Sequence, residues 1–144
     1  MDTLTKEQRH INMSRIKGKD TSPEVIVRKY LFSKGLRYRK NVSSLPGKPD
    51  IVFPKYKTVI FINGCFWHGH EGCSKFRIPK TNIQYWESKI INNKKRDVLE
   101  KNALEDLGWQ VITVWECEIS RKSKREQALA TLLKTITNTE KQRL

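Results

Sequence analysis

An α/β fold with a central mixed β-sheet and helices on both faces is what this 144-residue sequence predicts. Three observations lead there. Short runs rich in Val, Ile and Phe alternate with turn signals between residues 50 and 63. A long helical pattern then separates the apolar run at 58–63 from a second one at 110–115. A strand, a helix and a strand in that order close as a right-handed crossover, which lays the two strands parallel.

The elements follow in order. Residues 5–17 read as a short, polar amphipathic helix, with Thr5 and Gln8 spaced as a capping box. We expect residues 1–20 to be an N-terminal arm that orders on a partner, ahead of a single domain at 21–144. Ser22-Pro23-Glu24 starts a helix: a capping hydroxyl, a proline where no N–H is needed, and an acid in the first turn. Val25, Ile26, Val27, Tyr30, Leu31 and Phe32 supply its buried side, and Gly35 ends it. Residues 36–42 read as a strand, and Leu45-Pro46-Gly47-Lys48-Pro49 as a turn. Asp50-Ile51-Val52-Phe53 then pairs antiparallel with 58–63 across the turn at Pro54. Residues 64–81 are a loop, 82–107 a helix closed by Gly108, and 110–115 a strand. Ser123 and Glu126 are spaced as a capping box opening a C-terminal helix.

Lys and Arg number 29 against 15 acids, a net charge of +14. Such an excess opposes compaction through self-repulsion, and binding to a polyanion relieves it by releasing counterions. Nucleic acid is the partner that fits. A membrane does not, because no apolar run approaches the ~18 residues that spanning requires. The N-terminal residues hold no apolar signal segment, so a reducing cytoplasm is expected. There, three cysteines are not a disulfide framework.

Cys65, His70, Cys73 and Cys117 offer three thiolates and an imidazole, the ligand set of a tetrahedral structural Zn²⁺. Such a metal would shape a loop with little apolar content. The alternative is three unconnected buried thiols. A second constellation is acidic. Asp97 falls in line with Ile83, Trp86, Ile90 and Leu104 on one helical face, where an unpaired charge is costly. His68 is the partner it calls for, and a carboxylate that fixes an imidazole tautomer makes a general base. Otherwise Asp97 swings to solvent. Phe66 and Trp67, adjacent in a polar loop, suit wedges that unstack bases; Trp86 reads equally as a wedge or as core.

The segments Leu45-Pro46-Gly47-Lys48-Pro49-Asp50, Gly64-Cys65-Phe66-Trp67-His68 and Val114-Trp115-Glu116-Cys117 resemble the very short patch repair (Vsr) DNA mismatch endonucleases. The resemblance runs from about Asn12 to Cys117. It implies the fold of type II restriction endonucleases for the domain at 21–144. It also implies nicking beside the T of a T:G mismatch left by deamination of 5-methylcytosine. Carried over by motif, Asp50 and the backbone carbonyl of Ile62 bind a catalytic Mg²⁺. His68 is the base, supported by Asp97, and Glu24 is the helix carboxylate beside the metal. Phe66, Trp67 and Trp86 form the intercalating wedge, Lys89 and Asn93 touch the mismatched pair, and Met13 and Ile16 grip the far groove. The partner implied is double-stranded DNA carrying a T:G mismatch, bound by a monomer at the bacterial nucleoid. Mismatch-repair proteins and a cognate cytosine methyltransferase are its expected associates.

Three departures stand out. The acid-x-Lys of restriction enzymes is missing at Ile60-Phe61-Ile62-Asn63. Asn63 stands where some relatives carry a second histidine. The loop runs Gly69-His70-Glu71-Gly72-Cys73, where some have a histidine run and one residue fewer. Two other readings remain: a non-catalytic metal-stapled module for distorted DNA, and a sequence-specific restriction-type nuclease.

Overall fold

The computed structural model describes residues 22–74 and 76–142, so the arm at 1–20, with Met13 and Ile16, lies outside the described residues. Helix α1 spans Ser22–Ser33. Its end follows from sequence: Gly35 N–H bonds the Phe32 carbonyl at 3.0 Å and Leu36 N–H the Leu31 carbonyl at 3.1 Å. Those are the two bonds of a Schellman cap, and Leu36 joins Leu31 in the core as the motif requires.

Strand β1 (Arg39–Lys40) lies antiparallel to β2 (Ile51–Phe53), and β2 antiparallel to β3 (Thr58–Asn63). A single 3-10 turn, Pro54–Tyr56, joins β2 to β3. The long helix α2 (Ile83–Asp106) then crosses over to β4 (Gln110–Trp115), which pairs with β3 in parallel from Thr58↔Gln110 to Asn63↔Trp115. The sheet order is β1-β2-β3-β4. A second Schellman cap ends α2, with Gly108 N–H to Glu105 at 2.9 Å and Trp109 N–H to Leu104 at 3.0 Å.

Helices cover both faces of this mixed sheet. On one, α1, the short α3 (Glu116–Ser120) and α4 (Lys122–Gln142) pack Leu31, Ile119, Leu132 and Ile136 onto Ile51, Phe53 and Ile60. On the other, α2 sets Leu104 against Val52 and Val59. No helix among the described residues is long and apolar enough to cross a membrane.

Four details differ from expectation. The first strand is two residues long rather than seven, because Leu36 is drawn into the helix cap and Asn41 takes a left-handed φ of 52°. Helix α3 was not predicted; Glu118 accepts the Trp115 N–H at 3.1 Å and caps it. The C-terminal helix starts at Lys122, so Ser123 lies inside its first turn rather than at its cap. The Arg121 carbonyl accepts the N–H groups of Lys124 and Arg125 instead. Two apolar residues expected on buried sides face solvent: Ile83 of α2 is 45% exposed, and Phe32 of α1 is 53% exposed, its ring covered by the Arg37 guanidinium at 4.4 Å.

Candidate active site

Two parallel strands, β3 and β4, end together, and the crevice beyond the carboxyl ends of such strands is where open α/β sheets bind ligands. A cleft of about 630 Å³ opens there.

One wall carries a pair of acids. Glu24, in the first turn of α1, is buried and held by Arg28, whose Nη1 lies 3.4 Å from Oε2. Asp50 enters β2 behind the buried Pro49, and its Oδ2 accepts the Ile62 N–H at 2.6 Å. Burial raises the Asp50 carboxyl to about 7 despite that bond, and the nearby negative charge of Glu24 adds to the shift. Two carboxylates so placed repel until a cation sits between them. In a strand, the N–H and C=O of one residue point to the same edge, so the Ile62 carbonyl faces the Asp50 side. Asp50, Glu24 and that carbonyl are hard oxygen donors, a set that suits a divalent cation such as magnesium.

The opposite wall carries the imidazole. His68 Nδ1 lies 2.6 Å from Asp97 Oδ2, with both side chains about one-third exposed. A carboxylate only accepts, so Nδ1 carries the hydrogen, and in the neutral ring Nε2 then has the lone pair. The loop reaches α2 because residue 69 is glycine, at a φ of +61°. A Cβ there would meet Lys94 Cε at 2.5 Å and Ile90 Cγ2 at 2.7 Å. Glu100, one turn beyond Asp97, lines the same cleft; burial first, then the charge of Asp97, pushes its carboxyl up.

Beside the cleft, one ligand atom from each of Cys65, His70, Cys73 and Cys117 lies within 4.8 Å of the others. The Cys117 Sγ to His70 Nδ1 distance is 3.5 Å. Bonds of roughly 2.3 Å to sulfur and 2.0–2.1 Å to nitrogen at a tetrahedral angle give that edge a length of about 3.5 Å, so the cluster fits a metal ion. His70 N–H bonds the Cys65 carbonyl at 2.8 Å, and its ring stacks on Trp115 at 4.1 Å, fixing its orientation. Burial first, with the neighbouring thiols adding to it against a lowering bond from the Cys117 backbone, pushes the Cys65 thiol up to about 12, so a bound cation is what would hold it as a thiolate.

Phe66, Trp67 and Trp86 form one cluster with ring centroids 5.2 to 5.9 Å apart. All three are half-buried and belong to neither core, and Trp67 lines the cleft. Asn93 Nδ2 donates to the Trp67 carbonyl at 2.8 Å, and its Oδ1 accepts from Arg96 at 3.0 Å. Its amide therefore braces the aromatic loop. Lys89 sits on the exposed side of α2 near Tyr85, outside the cleft. Sequence reasoning did not single out Glu100, Glu116, Lys48 or Arg96 as cleft residues, nor Tyr85, whose ring meets Trp86 at 5.1 Å. Glu116 had a signal, its place between Trp115 and Cys117; Tyr85 had another, its adjacency to Trp86.

A family model described as DNA mismatch endonuclease Vsr matches residues 1–75 of this chain. The type II nicking enzyme V.NmeAIP of Neisseria meningitidis serogroup A is 49% identical over 94% of this chain and 96% of its own length. The type II nicking enzyme V.XorIIP of Xanthomonas oryzae is 44% identical over 92% of this chain and 96% of its own. The DNA mismatch endonuclease Vsr of Escherichia coli K12 is 41% identical over 85% of this chain and 78% of its own.

Proposed function

The chain belongs to the Vsr family of DNA mismatch endonucleases, and on that premise we propose that it nicks the T-containing strand 5′ to the T of a T:G mismatch. The observation that carries this reading is a convergence. The Glu24–Asp50 pair and the His68–Asp97 pair open on one cleft, and Trp67, which lines it, joins the cleft to the Phe66–Trp67–Trp86 cluster.

Asp50, Glu24 and the Ile62 carbonyl are the residues that would hold magnesium. Bound there, the ion supplies charge neutralisation to the phosphate and to the departing oxygen. His68 takes the proton of the attacking water at Nε2, while Asp97 keeps the hydrogen on Nδ1 and stabilises the imidazolium that forms. The aromatic rings wedge beside the mismatch, where displaced base edges make the step cheaper to unstack than ordinary duplex. Lys89 and Asn93 lie one turn apart on α2 and read the shifted pair. For Asn93 this requires the exchange of its bond to the Trp67 carbonyl for one to a base. We read the four-residue Cys/His cluster as structural zinc, since three sulfurs and one nitrogen in a closed tetrahedral set leave no open position for substrate.

The test is a nicking assay with Mg²⁺ on duplexes differing at one pair. A single nick in the T strand of the T:G duplex is expected, with T:A and C:G duplexes cut far more slowly. Equal rates on T:G and T:A remove the mismatch assignment. Cutting of both strands of an intact palindrome identifies a restriction-type enzyme instead. Tight binding with no cut in any duplex identifies a non-catalytic module. Elemental analysis of protein purified without chelator should find one zinc per chain.

A further inference from the structure

Among the described residues the catalytic cleft is short of positive charge, and one side chain that lines it has an uncommon backbone conformation. Of the described residues around the cleft, five are acids, Glu24, Asp50, Asp97, Glu100 and Glu116, against two cations, Lys48 and Arg96. Arg96 is engaged with the Asn93 amide. The third strand brings no lysine, because Ile60-Phe61-Ile62-Asn63 lacks the acid-x-Lys of restriction enzymes. A phosphodiester entering here meets a surface whose own charge repels it.

Lys48 stands two residues before Asp50, and the chain fixes its position through the backbone. Leu45-Pro46-Gly47-Lys48 is a type II turn: proline at its second place, Gly47 at a φ of +75°, and the Lys48 N–H bonded to the Leu45 carbonyl at 3.1 Å. The turn is pressed against α2, since a Cβ on Gly47 would lie 2.7 Å from Glu100 Oε2. Lys48 itself has a φ of +48°, a region that L side chains rarely adopt and that glycine or asparagine would occupy more easily. Lys57 shares that conformation at a φ of 50°, so what sets Lys48 apart is its place: a turn closed against Glu100, two residues before Asp50, at the wall of the acid-lined cleft.

We propose that Lys48 contacts the phosphate at or next to the bond that is cut, supplying from the turn before β2 the cation that β3 does not carry. This rests on the endonuclease reading above. A lysine ammonium is a compact point charge on a flexible stem and needs no exact geometry to meet a phosphate oxygen. Its contact differs from that of the exposed lysines of α2, because it acts where charge builds up during cleavage.

The test uses the full chain and three proteins: wild type, Lys48→Asn and Lys48→Arg. Asparagine tolerates the left-handed backbone and removes the charge, so fold stability should be unchanged or raised. Binding is measured on T:G and matched duplexes from low to high salt, with calcium in place of magnesium. Nicking is measured with magnesium. For Lys48→Asn the salt slope on either duplex should fall by about one phosphate contact. Its nicking rate should fall about tenfold to a hundredfold, the range for a lost charge-assisted contact, while Lys48→Arg stays near wild type in both. A wild-type slope in Lys48→Asn overturns the proposal whatever its nicking rate. A lowered slope with full nicking overturns the assignment to the cleaved bond. Failure of the wild type to cut any duplex defeats the endonuclease reading separately, and the salt slope still decides the contact.

Discussion

The two faces of the sheet are built on different terms. On the side of α1, α3 and α4, eleven buried apolar residues form one cluster, with Phe53, Leu31 and Ile136 fully enclosed. On the side of α2, only Val52, Val59 and Leu104 are buried together. The 24 residues of α2 bury Ile90 and Leu104, while Ile91, Val98 and Leu99 stay more than half exposed. Yet α2 contributes Asp97, Glu100, Asn93 and Trp86 to the candidate site and the aromatic cluster. One face holds the domain together; the other presents its chemistry. The difference teaches why alternate residues of β3 diverge. Ile60 points into the large core, whereas Phe61 and Asn63 border the cleft.

That comparison can be broken first by truncation. Phe53→Ala should cost about 3–5 kcal/mol, because its neighbours on the thick side are fixed by other helices and leave a cavity. Leu104→Ala should cost about 2 kcal/mol, the low end for such a change, since a thin layer can collapse around it. Urea midpoints for the two variants measure the contrast. A Leu104→Ala loss as large as that of Phe53→Ala would mean that both faces carry the fold equally.

A function-side substitution should show the reverse pattern. Asp97→Asn leaves a hydrogen-bonding group beside His68 but no charge to hold its tautomer or to stabilise an imidazolium. Nicking should fall about a hundredfold, roughly 2.7 kcal/mol of barrier. The melting temperature should stay within a degree or two, because the pair is one-third exposed and removing an exposed ion pair costs little. A drop of many degrees would move Asp97 from chemistry to scaffolding.

How legible all this was in the sequence follows the same division. The βαβ crossover, the β2–β3 antiparallel pair and both glycine-capped helix ends were readable, because period, turn chemistry and capping agree there. So was the meeting of His68 with Asp97, since a carboxylate in line with apolar residues demands a partner. Helix α3 was not. Its five residues are too few for a period, and its cap comes from Glu118 folding back onto Trp115. The short β1 was misread because nothing in Leu36–Val42 shows that Leu36 serves the preceding helix. Glu100 and Lys48 escaped notice because each reads alone as one more charge on a polar surface. Only the closure of the Gly47 turn onto α2 brings them to one cleft.

The smallest effect tests the chemistry at the border between the two faces. Glu24 sits in α1 and Asp50 opens β2, so their mutual repulsion weakens the stable side for the benefit of the site. Asp50→Asn should therefore stabilise the fold in magnesium-free buffer, and with magnesium present it should abolish nicking. The amide oxygen can still accept the Ile62 N–H, and the charge facing Glu24 is gone. The pH dependence has a definite sign. Burial raises the Asp50 carboxyl from 3.8 to about 7, so between those values the folded protein binds the extra proton and the unfolded chain does not. Wild-type stability from this group is thus unaffected below about pH 4 and declines as pH rises toward 7. The gain from Asp50→Asn should be near zero at pH 4 and reach on the order of 1–2 kcal/mol at pH 8, part of the shift being screened by solvent in the open cleft. Saturating magnesium should shrink or invert the gap, because the ion stabilises the wild-type carboxylate pair and has less to bind in the variant. Chemical denaturation at pH 4, 6 and 8, with and without magnesium, reads all of these terms. A gain that is the same at every pH would show that neither burial nor Glu24 raises the Asp50 carboxyl in the folded protein.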